Sequence, residues 1–290
     1  MNYEHCTLCP RRCGVNRQAG ERGYCGMPAE PMVAKAMLHY GEEPPISGNY
    51  GTGAVFFSGC TLRCGFCQNR EISFDGVGRS TKQLRRIFEQ LIDEGAQSID
   101  LVTPTHFLPD ILPALTPKLP VPVVYNCGGY ESVETLKRLE GLIDIYLPDF
   151  KYSDNRLALA LSKAPDYFEV ASASMLEMFR QTGPVVMEDD AMQRGVLIRH
   201  LVLPGFVDNS LGVIEWVGEH FHGNDILFSL MRQYTPMGNQ PEPLNRRVTD
   251  EEYAACESWM ELCGIVNGFT QGAEAATTEL LPDFDFGGIL

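Results

Sequence analysis

Residues 56–69 read Phe56-Phe57-Ser58-Gly59-Cys60-Thr61-Leu62-Arg63-Cys64-Gly65-Phe66-Cys67-Gln68-Asn69. Three cysteines, Cys60, Cys64 and Cys67, stand here in a C-x3-C-x2-C pattern, directly after an apolar run that predicts a buried strand. This spacing lets one loop bring three thiolates to one metal centre, and thiolates select iron–sulfur clusters, zinc or Cu(I). A cubane [4Fe–4S] cluster normally takes four cysteines, so a loop that offers three leaves one iron free to bind a substrate or cofactor. The alternative is a zinc knuckle completed by a distant ligand, although such knuckles usually show two CxxC-type pairs.

A second group of cysteines precedes this loop, at Cys6, Cys9, Cys13 and Cys25. Prolines and glycines surround these cysteines, and both residue types make the tight turns that let a short loop converge on a metal. Four cysteines complete a tetrahedral zinc site or a fully ligated iron–sulfur cluster, and the spacing leaves that choice open. The alternative is a set of free buried cysteines. We therefore predict a small metal-binding module, which together with a glycine-rich lead-in occupies residues 1–50.

The composition restricts the class of protein. The chain has 290 residues, 23 Lys and Arg against 38 Asp and Glu, and a formal net charge of −15. Such an acidic chain is not expected to have nucleic acid or an anionic membrane as its main partner, because both need clustered Lys and Arg. The N-terminus shows no signal peptide, and no apolar stretch is long enough to span a bilayer. Ten cysteines without a secretion signal indicate reduced thiols, metal ligands or catalytic residues rather than disulfides, and we expect a cytoplasmic protein.

Short apolar runs alternate with amphipathic stretches beyond residue 52. The predicted strands are 53–58, 98–102, 121–126, 142–147, 195–203 and 225–230, with an earlier strand near 33–38 and a short one within 264–272. The predicted helices are 80–94, 109–117, 131–140, 155–182, 209–221 and 249–263. Strands that alternate with helices imply right-handed βαβ units and a parallel sheet.

The loop from Cys60 to Cys67, with the aromatic Phe66 just before its last cysteine, resembles the cluster motif of the radical S-adenosylmethionine (radical SAM) superfamily. The resemblance runs from about Cys6 to Gly272 and is closest to pyruvate formate-lyase-activating-enzyme-like proteins, which share the N-terminal cysteine knuckle. It implies a partial (β/α)6 TIM-like barrel over residues 51–272, followed by a C-terminal tail over residues 273–290. It also implies a [4Fe–4S] cluster on the three loop cysteines, with S-adenosylmethionine (SAM) chelating the open iron.

The resemblance also suggests SAM contacts at the ends of the second and third barrel strands, where such barrels build their sites. Family members often carry Gly-Gly-Glu after the second strand. This chain lacks it, and Thr103 and Thr105 are expected to accept the hydrogen bonds instead. His106 is a candidate proton carrier, with a structural histidine as the alternative. Asn126 begins a segment that resembles the Asn-Gly-aromatic stretch of glycyl-radical-enzyme activases, and the neighbouring Cys127 reads more readily as a small apolar filler than as a reactive thiol.

The fourth and fifth barrel strands supply charged candidates. The Asp149-x-Lys151 sequence resembles a pair in the pyruvate formate-lyase activating enzymes, and alternation along a strand puts both side chains on one face. Lys151 suits a SAM carboxylate, and Asp149 suits a ribose hydroxyl or a cation; the alternative is a surface ion pair. Of the neighbours Arg199 and His200 only one can face inward, and we expect Arg199 to pair with a cofactor carboxylate or a neighbouring acid. The histidine that related enzymes carry after the sixth strand is absent.

This resemblance implies an oxidoreductase that cleaves SAM reductively to a 5′-deoxyadenosyl radical, which then abstracts hydrogen from a substrate. It also implies an anaerobic or reducing setting, and an electron donor such as flavodoxin or ferredoxin. Three functions remain open. The chain activates a glycyl radical enzyme, it modifies a peptide or small molecule, or it is a non-catalytic metal-binding scaffold.

Overall fold

The computed structural model describes residues 2–74, 76–277 and 282–290. Its strands are Met32–His39 (β1), Thr52–Phe57 (β2), Arg79–Ser80 (β3), Ile99–Val102 (β4), Val123–Cys127 (β5), Ile145–Pro148 (β6), Val186–Glu188 (β7), Ala191–Leu201 (β8), Leu227–Met231 (β9) and Gly268–Thr270 (β10). Its α-helices are Pro44–Ser47 (α1), Arg70–Phe74 (α2), Leu84–Asp93 (α3), Leu108–Ala114 (α4), Val133–Leu136 (α5), Asn155–Ser162 (α6), Tyr167–Thr182 (α7), Val207–His220 (α8) and Asp250–Leu262 (α9). No helix in these ranges is both long enough and apolar enough to cross a membrane.

The strands form one mixed sheet in the order β10-β9-β8-β6-β5-β4-β2-β1-β3. Every pair from β2 through β4, β5, β6, β8 and β9 to β10 is parallel. β1 lies antiparallel to β2 at one end of this series, and β7 forms an antiparallel hairpin with β8. The six predicted barrel strands are all present, so the prediction of an α/β fold with a parallel sheet is confirmed.

Two of the predicted helices differ from the structure. The pattern over 155–182 is interrupted after Ser162, where Lys163 adopts a left-handed φ of 54° and ends α6. Pro165 follows, and the residue before a proline disfavours the helical conformation, so α7 begins only at Tyr167. The stretch predicted as a helix over 131–140 contains one short turn, α5, which the Ser132 side chain caps by accepting from the Thr135 amide.

The two faces of the sheet have different surroundings. On the outer face, alternate residues such as Val196 and Ile198 pack with the helices in the large core. On the inner face, Leu197 packs with Val124 and Leu147 in a smaller separate core. Polar residues of the inner strands lie beyond this small apolar layer, and they are described below.

Both ends of the chain pack against the sheet. Arg17 of the N-terminal module is almost fully buried, and its guanidinium donates to the carbonyls of Met27 and His106. At the other end, the Phe286 amide donates to the Ala34 carbonyl at 3.2 Å, and the Ala36 amide donates to the Gly287 carbonyl at 2.9 Å. Residues 286 and 287 thus hydrogen-bond alongside β1. Residues 278–281 of the predicted tail lie outside the described ranges.

Candidate active site at the ends of the parallel strands

A cavity of about 260 Å³ lies at the carboxyl ends of the parallel strands. It is lined by Cys60, Cys64 and Cys67, by the inner-face residues Val102, Asn126, Asp149, Lys151, Arg199 and Met231, and by Ala275, Thr277 and Pro282 of the C-terminal segment. Three thiols therefore share one cavity with most of the charged residues that the sequence nominated. This is the end of a parallel barrel where active sites form.

The three loop thiols each have a hydrogen-bonding neighbour. The amides of Leu62 and Arg63 point at Cys60 Sγ, at 3.3 and 3.4 Å. Ser162 Oγ donates to Cys64 Sγ at 3.0 Å, and Ser73 Oγ lies 3.6 Å from Cys67 Sγ. Hydrogen bonds to sulfur are one of the means by which proteins set the potential of an iron–sulfur cluster.

These thiols fit a thiolate-ligated cluster by their residue type, their shared cavity and their hydrogen bonds. Within the described ranges, however, no three His, Cys, Asp or Glu side chains are already arranged as a metal site. Burial raises the pKa of Cys60 to about 12. A coordinating metal ion deprotonates such a thiol outright, so ligation would require this charge compensation.

A charged network lies next to the thiols on the inner face. Arg199 donates from Nε to Asp149 Oδ1 at 2.8 Å, from Nη1 to Glu42 Oε1 at 2.6 Å and from Nη2 to Asn126 Oδ1 at 2.7 Å. Lys151 Nζ donates to Asp149 Oδ2 at 2.5 Å. The side chains of Asp149 and Lys151 are only 17% and 18% exposed, so the pair is not the surface ion pair considered as the alternative.

Electrostatics in this network follow from burial and pairing. Burial alone would raise the pKa of Asp149, but the Arg199 and Lys151 cations outweigh it and hold that pKa below its usual range. Burial lowers the pKa of Lys151, yet Asp149 more than compensates and the pKa is raised. The ion pair is therefore charged at neutral pH.

Three acids of this site were missed by the sequence reasoning. Glu42 and Glu43 belong to the lead-in to the barrel, which reads as a turn because of its glycine and prolines, and Asp100 lies within β4. Burial raises the pKa of Glu43 to about 7 and that of Asp100 well above its ordinary value. Asp100 was detectable in principle, since a lone acid in an apolar strand is costly unless it meets a partner. Here Asn126 Nδ2 donates to Asp100 Oδ2 at 3.2 Å.

The two threonines of the loop after β4 have different surroundings. Thr103 lines the cavity and holds a left-handed φ of 59°. Thr105 is not among the lining residues; it is buried, and its hydroxyl donates to Glu131 Oε1 at 2.8 Å. His106 is buried with Nε2 2.7 Å from the Ser58 carbonyl, and burial lowers its pKa to about 3, which fits a neutral structural histidine.

Residues on the opposite faces of β5 and β8 have structural partners. Cys127 is buried beside Glu131 and belongs to the outer core, although it also lines the cavity. His200 faces the helices, with Nδ1 2.6 Å from the Phe150 carbonyl and Nε2 2.8 Å from Ser210 Oγ. Alternation along β8 thus places Arg199 inside and His200 outside, as the sequence predicts.

The four N-terminal cysteines lie in one small module. Cys6 is buried, Cys9 and Cys25 are half-buried, and Cys13 is exposed. Burial raises the pKa of Cys9, and the nearby Cys25 and Cys13 add to that effect, so these thiols lie close together. A metal in this module stays a prediction, because no formed metal site exists among the described side chains.

Comparison with known proteins places the fold. A radical SAM methyltransferase from Sphaerobacter thermophilus superposes with a TM-score of 0.51 at 13% identity, covering 77% of this chain and 68% of that one. Streptococcus suis SuiB bound to S-adenosylmethionine gives a TM-score of 0.50 at 18% identity, covering 78% of this chain. The chain spans about half the length of SuiB, at 51%. At these identities the likeness shows a shared fold.

No family model matches the chain. A sequence relative is Uncharacterized protein MJ0674 from Methanocaldococcus jannaschii, which is 31% identical over 265 residues, or 86% of this chain and 72% of the relative. Identity at this level over most of both proteins shows common descent, and the chain therefore belongs to the same family as MJ0674.

Proposed function

We propose that this protein is a radical SAM enzyme. The observation that carries the proposal is the position of the three C-x3-C-x2-C thiols, Cys60, Cys64 and Cys67. They follow the first parallel strand and line one cavity with the inward-facing charged network. The shared fold with a radical SAM methyltransferase and with a SAM-bound protein supports this reading.

In this proposal the three thiols hold a [4Fe–4S] cluster and the charged network holds SAM. The bound cluster and SAM together supply a one-electron cleavage that delivers a carbon radical for hydrogen abstraction. The protein binds and orients these groups and keeps water out. Lys151 offers a buried ammonium to a carboxylate, while Asn126 and Asp149 are held in place by Arg199.

For the substrate, we propose activation of a glycyl radical enzyme, which is supported by the resemblance of the Asp149-x-Lys151 pair to the activating enzymes. One observation favours the alternative, modification of a peptide or small molecule. Ala275, Thr277 and Pro282 of the C-terminal segment also line the cavity, and this segment narrows the room for a folded partner.

The N-terminal cysteines are proposed to hold zinc or a second [4Fe–4S] cluster. After anaerobic reconstitution, an iron content of about eight atoms per chain would indicate two clusters, and about four would indicate one cluster beside a zinc or empty module. A variant that carries both Cys13→Ala and Cys25→Ala, reconstituted in the same way, should lose the metal of the N-terminal module and keep the cluster on Cys60, Cys64 and Cys67.

The test of the proposal is anaerobic. The reconstituted protein is mixed with dithionite and SAM, and 5′-deoxyadenosine is measured by chromatography beside the Cys64→Ala variant. We expect 5′-deoxyadenosine from the parent protein and none from the variant. A parent protein that binds its cluster and SAM but forms no 5′-deoxyadenosine would contradict the proposal and favour a non-catalytic scaffold.

A further inference from the structure

Four cations lie along the outside of the cysteine loop, and a fifth, Arg22, is close to Tyr24 of the same surface in sequence. They are Arg11, Arg22, Arg63, Arg70 and Lys163; three of them are exposed, and Arg11 and Arg63 are half-buried. In the described part of the chain none of the five takes part in an ion pair. We call this set the basic arc, and it stands out in a chain whose net charge is −15.

Two aromatic rings connect the members of the arc. The Arg11 guanidinium lies 4.0 Å from the centre of the Tyr24 ring, and Arg63 lies 6.0 Å from the same ring. Arg63 and Arg70 both face Phe74, at 4.8 and 4.4 Å. Arg11 also donates to the Lys163 carbonyl. Arg11, Arg63, Arg70 and Lys163 are therefore neighbours on one surface, and Arg22 precedes Tyr24 by two residues in the chain.

Nearby acids do not cancel this charge. Glu21 is next to Arg22 in sequence, and its carboxylate, which accepts from the Asn16 amide at 2.6 Å, keeps its negative charge. Glu71 is exposed on α2 beside Arg70. Five cations against these two acids leave the arc with a net positive charge.

The arc is also in hydrogen-bond contact with the cysteine loop. The Arg63 amide points at Cys60 Sγ at 3.4 Å, and its guanidinium donates to the Tyr24 carbonyl at 3.3 Å. The Tyr24 hydroxyl donates to the Leu62 carbonyl at 3.2 Å. Short bonded paths therefore lead from the arc to a thiol, whereas the five cations are not among the residues that line the cavity.

We propose that the basic arc is the docking surface for an acidic one-electron carrier protein, which reduces the cluster through the loop. This inference rests on the proposed function, because it presumes a cluster on Cys60, Cys64 and Cys67. In the step, the carrier is oxidised by one electron and the cluster is reduced by one. Opposite charges on the two partners steer such encounters and raise the association rate.

The test compares two reductants. Dithionite is a small molecule that does not need a docking surface, and reduced flavodoxin, an acidic flavoprotein, is the protein probe. The variant is the triple charge reversal Arg22→Glu, Arg70→Glu and Lys163→Glu. It leaves in place Arg63, which belongs to the loop, and Arg11, whose Nε donates to the Thr61 carbonyl at 2.9 Å. The matched control reverses three exposed cations elsewhere, Arg138→Glu, Arg194→Glu and Arg247→Glu.

We expect the arc variant to form 5′-deoxyadenosine with dithionite at the parent rate. With flavodoxin at low salt it should be slower by about tenfold or more. The control triple should stay within about twofold of the parent under both reductants, because it makes the same change in net charge away from the arc. Raising the salt should slow the parent with flavodoxin and leave the arc variant nearly unchanged.

Binding of oxidised flavodoxin to the cluster-free protein provides a second readout, which does not depend on SAM cleavage. The arc variant should bind at least about tenfold more weakly than the control triple. Equal flavodoxin binding and equal flavodoxin-driven rates for the two triples would overturn the proposal, as would an equal loss of rate with dithionite. Binding of poly(U) RNA in place of flavodoxin would also overturn it. If the parent forms no 5′-deoxyadenosine with dithionite, the proposed function fails, while the binding arm still decides on the docking surface.

Discussion

Arg199 uses all three of its guanidinium nitrogens inside the protein, on Asp149, Glu42 and Asn126. The sequence suggested either a cofactor carboxylate or a neighbouring acid as the partner of Arg199. In the structure Arg199 binds neighbouring acids. Among the described residues Lys151 donates to one acceptor, Asp149, and an ammonium has three donor hydrogens. Lys151 is consequently the cation that can still meet an incoming carboxylate.

Replacing Lys151 with Met should weaken SAM binding without preventing folding. A hydrogen bond to a charged group contributes about 1.5–3 kcal/mol, so the dissociation constant should rise by about 10- to 100-fold. Equilibrium dialysis with reconstituted protein measures it, and Lys137→Met, on the exposed C-terminal side of α5, is the control. Unchanged affinity would mean that Lys151 only neutralises Asp149.

Glu131 gives the protein a pH-dependent stability. Burial raises its pKa to about 7, although Thr105 and Tyr125 donate to its carboxylate. The native state thus keeps the proton up to about pH 7, whereas the unfolded chain releases it near 4.3. Between these values the native state binds more protons, so the free energy of unfolding falls as the pH rises.

The Glu131→Gln variant is neutral in both states and should lack this part of the slope. A raised pKa of this size corresponds to roughly 3 kcal/mol, so from about pH 5 to pH 8 the parent should lose roughly that much more stability than the variant. Urea denaturation at both pH values measures the difference. Glu134→Gln, three residues further along the chain on α5 with a side chain 75% exposed, should follow the parent. If the free energy of unfolding of Glu131→Gln fell with pH as steeply as that of the parent, the raised pKa of Glu131 would not be the cause of the slope.

At the scale of elements, Gly59 lies just after β2, where the N-terminal module packs against the chain. Its φ is +81°, and a Cβ there would collide with the Met27 side chain and lie 2.9 Å from the Cys25 carbonyl oxygen. Gly95 offers a matched case, because its φ is +102° and nothing lies within 4 Å of the same atom. Both positions impose backbone strain on alanine, and only Gly59 adds a steric clash.

Gly95→Ala should therefore cost about 1–2 kcal/mol, the price of a left-handed backbone at a residue with a Cβ. Gly59→Ala should cost about 1–3 kcal/mol more, because the module must move away from the loop. Urea denaturation of both variants in the same metal state gives the two values. Equal losses would show that the module is not packed tightly against Gly59.

Alternation along strands accounts for most of what could be predicted from sequence. It placed Asp149 and Lys151 together and Arg199 inside, because a period of two fixes which face each side chain occupies. Glu42 could not be found in this way, since it reaches the site from a loop whose path depends on packing against β8. The break between α6 and α7 had a local signal in Pro165, but apolar periodicity continues across it.

The charge of the whole molecule is unevenly arranged. The chain is acidic overall, yet cations that form no ion pair with any described residue gather outside the cysteine loop. Charge counted over the full sequence predicts the repulsion of nucleic acids and anionic membranes, but it does not report such local reversals. Their detection needs the fold, because Arg11 and Lys163 of the basic arc are far apart in sequence.

The N-terminal module and the barrel should unfold as one unit. Their interface buries Arg17, whose guanidinium donates to the His106 carbonyl at 2.5 Å, and the Thr135 hydroxyl donates to the Leu8 carbonyl at 2.8 Å. Loss of the module would leave these buried groups unpaired, at about 1–3 kcal/mol each. Opening the module alone is therefore costly.

Native-state hydrogen exchange of the cluster-free protein in low urea tests this expectation. Amides of the module and of β1 should lose protection at the same urea concentration, as expected for one cooperative unit. In the Arg17→Met variant the amides of the module should lose protection at a lower urea concentration than those of β1. The reason is that the carbonyls of Met27 and His106 lose the guanidinium that donates to them. Arg12→Met is the control, since Arg12 forms only an exposed pair with Glu134 and such pairs contribute little. If the module of the parent already opens before β1, the interface does not couple the two parts, and the effect expected for Gly59→Ala would have to be local.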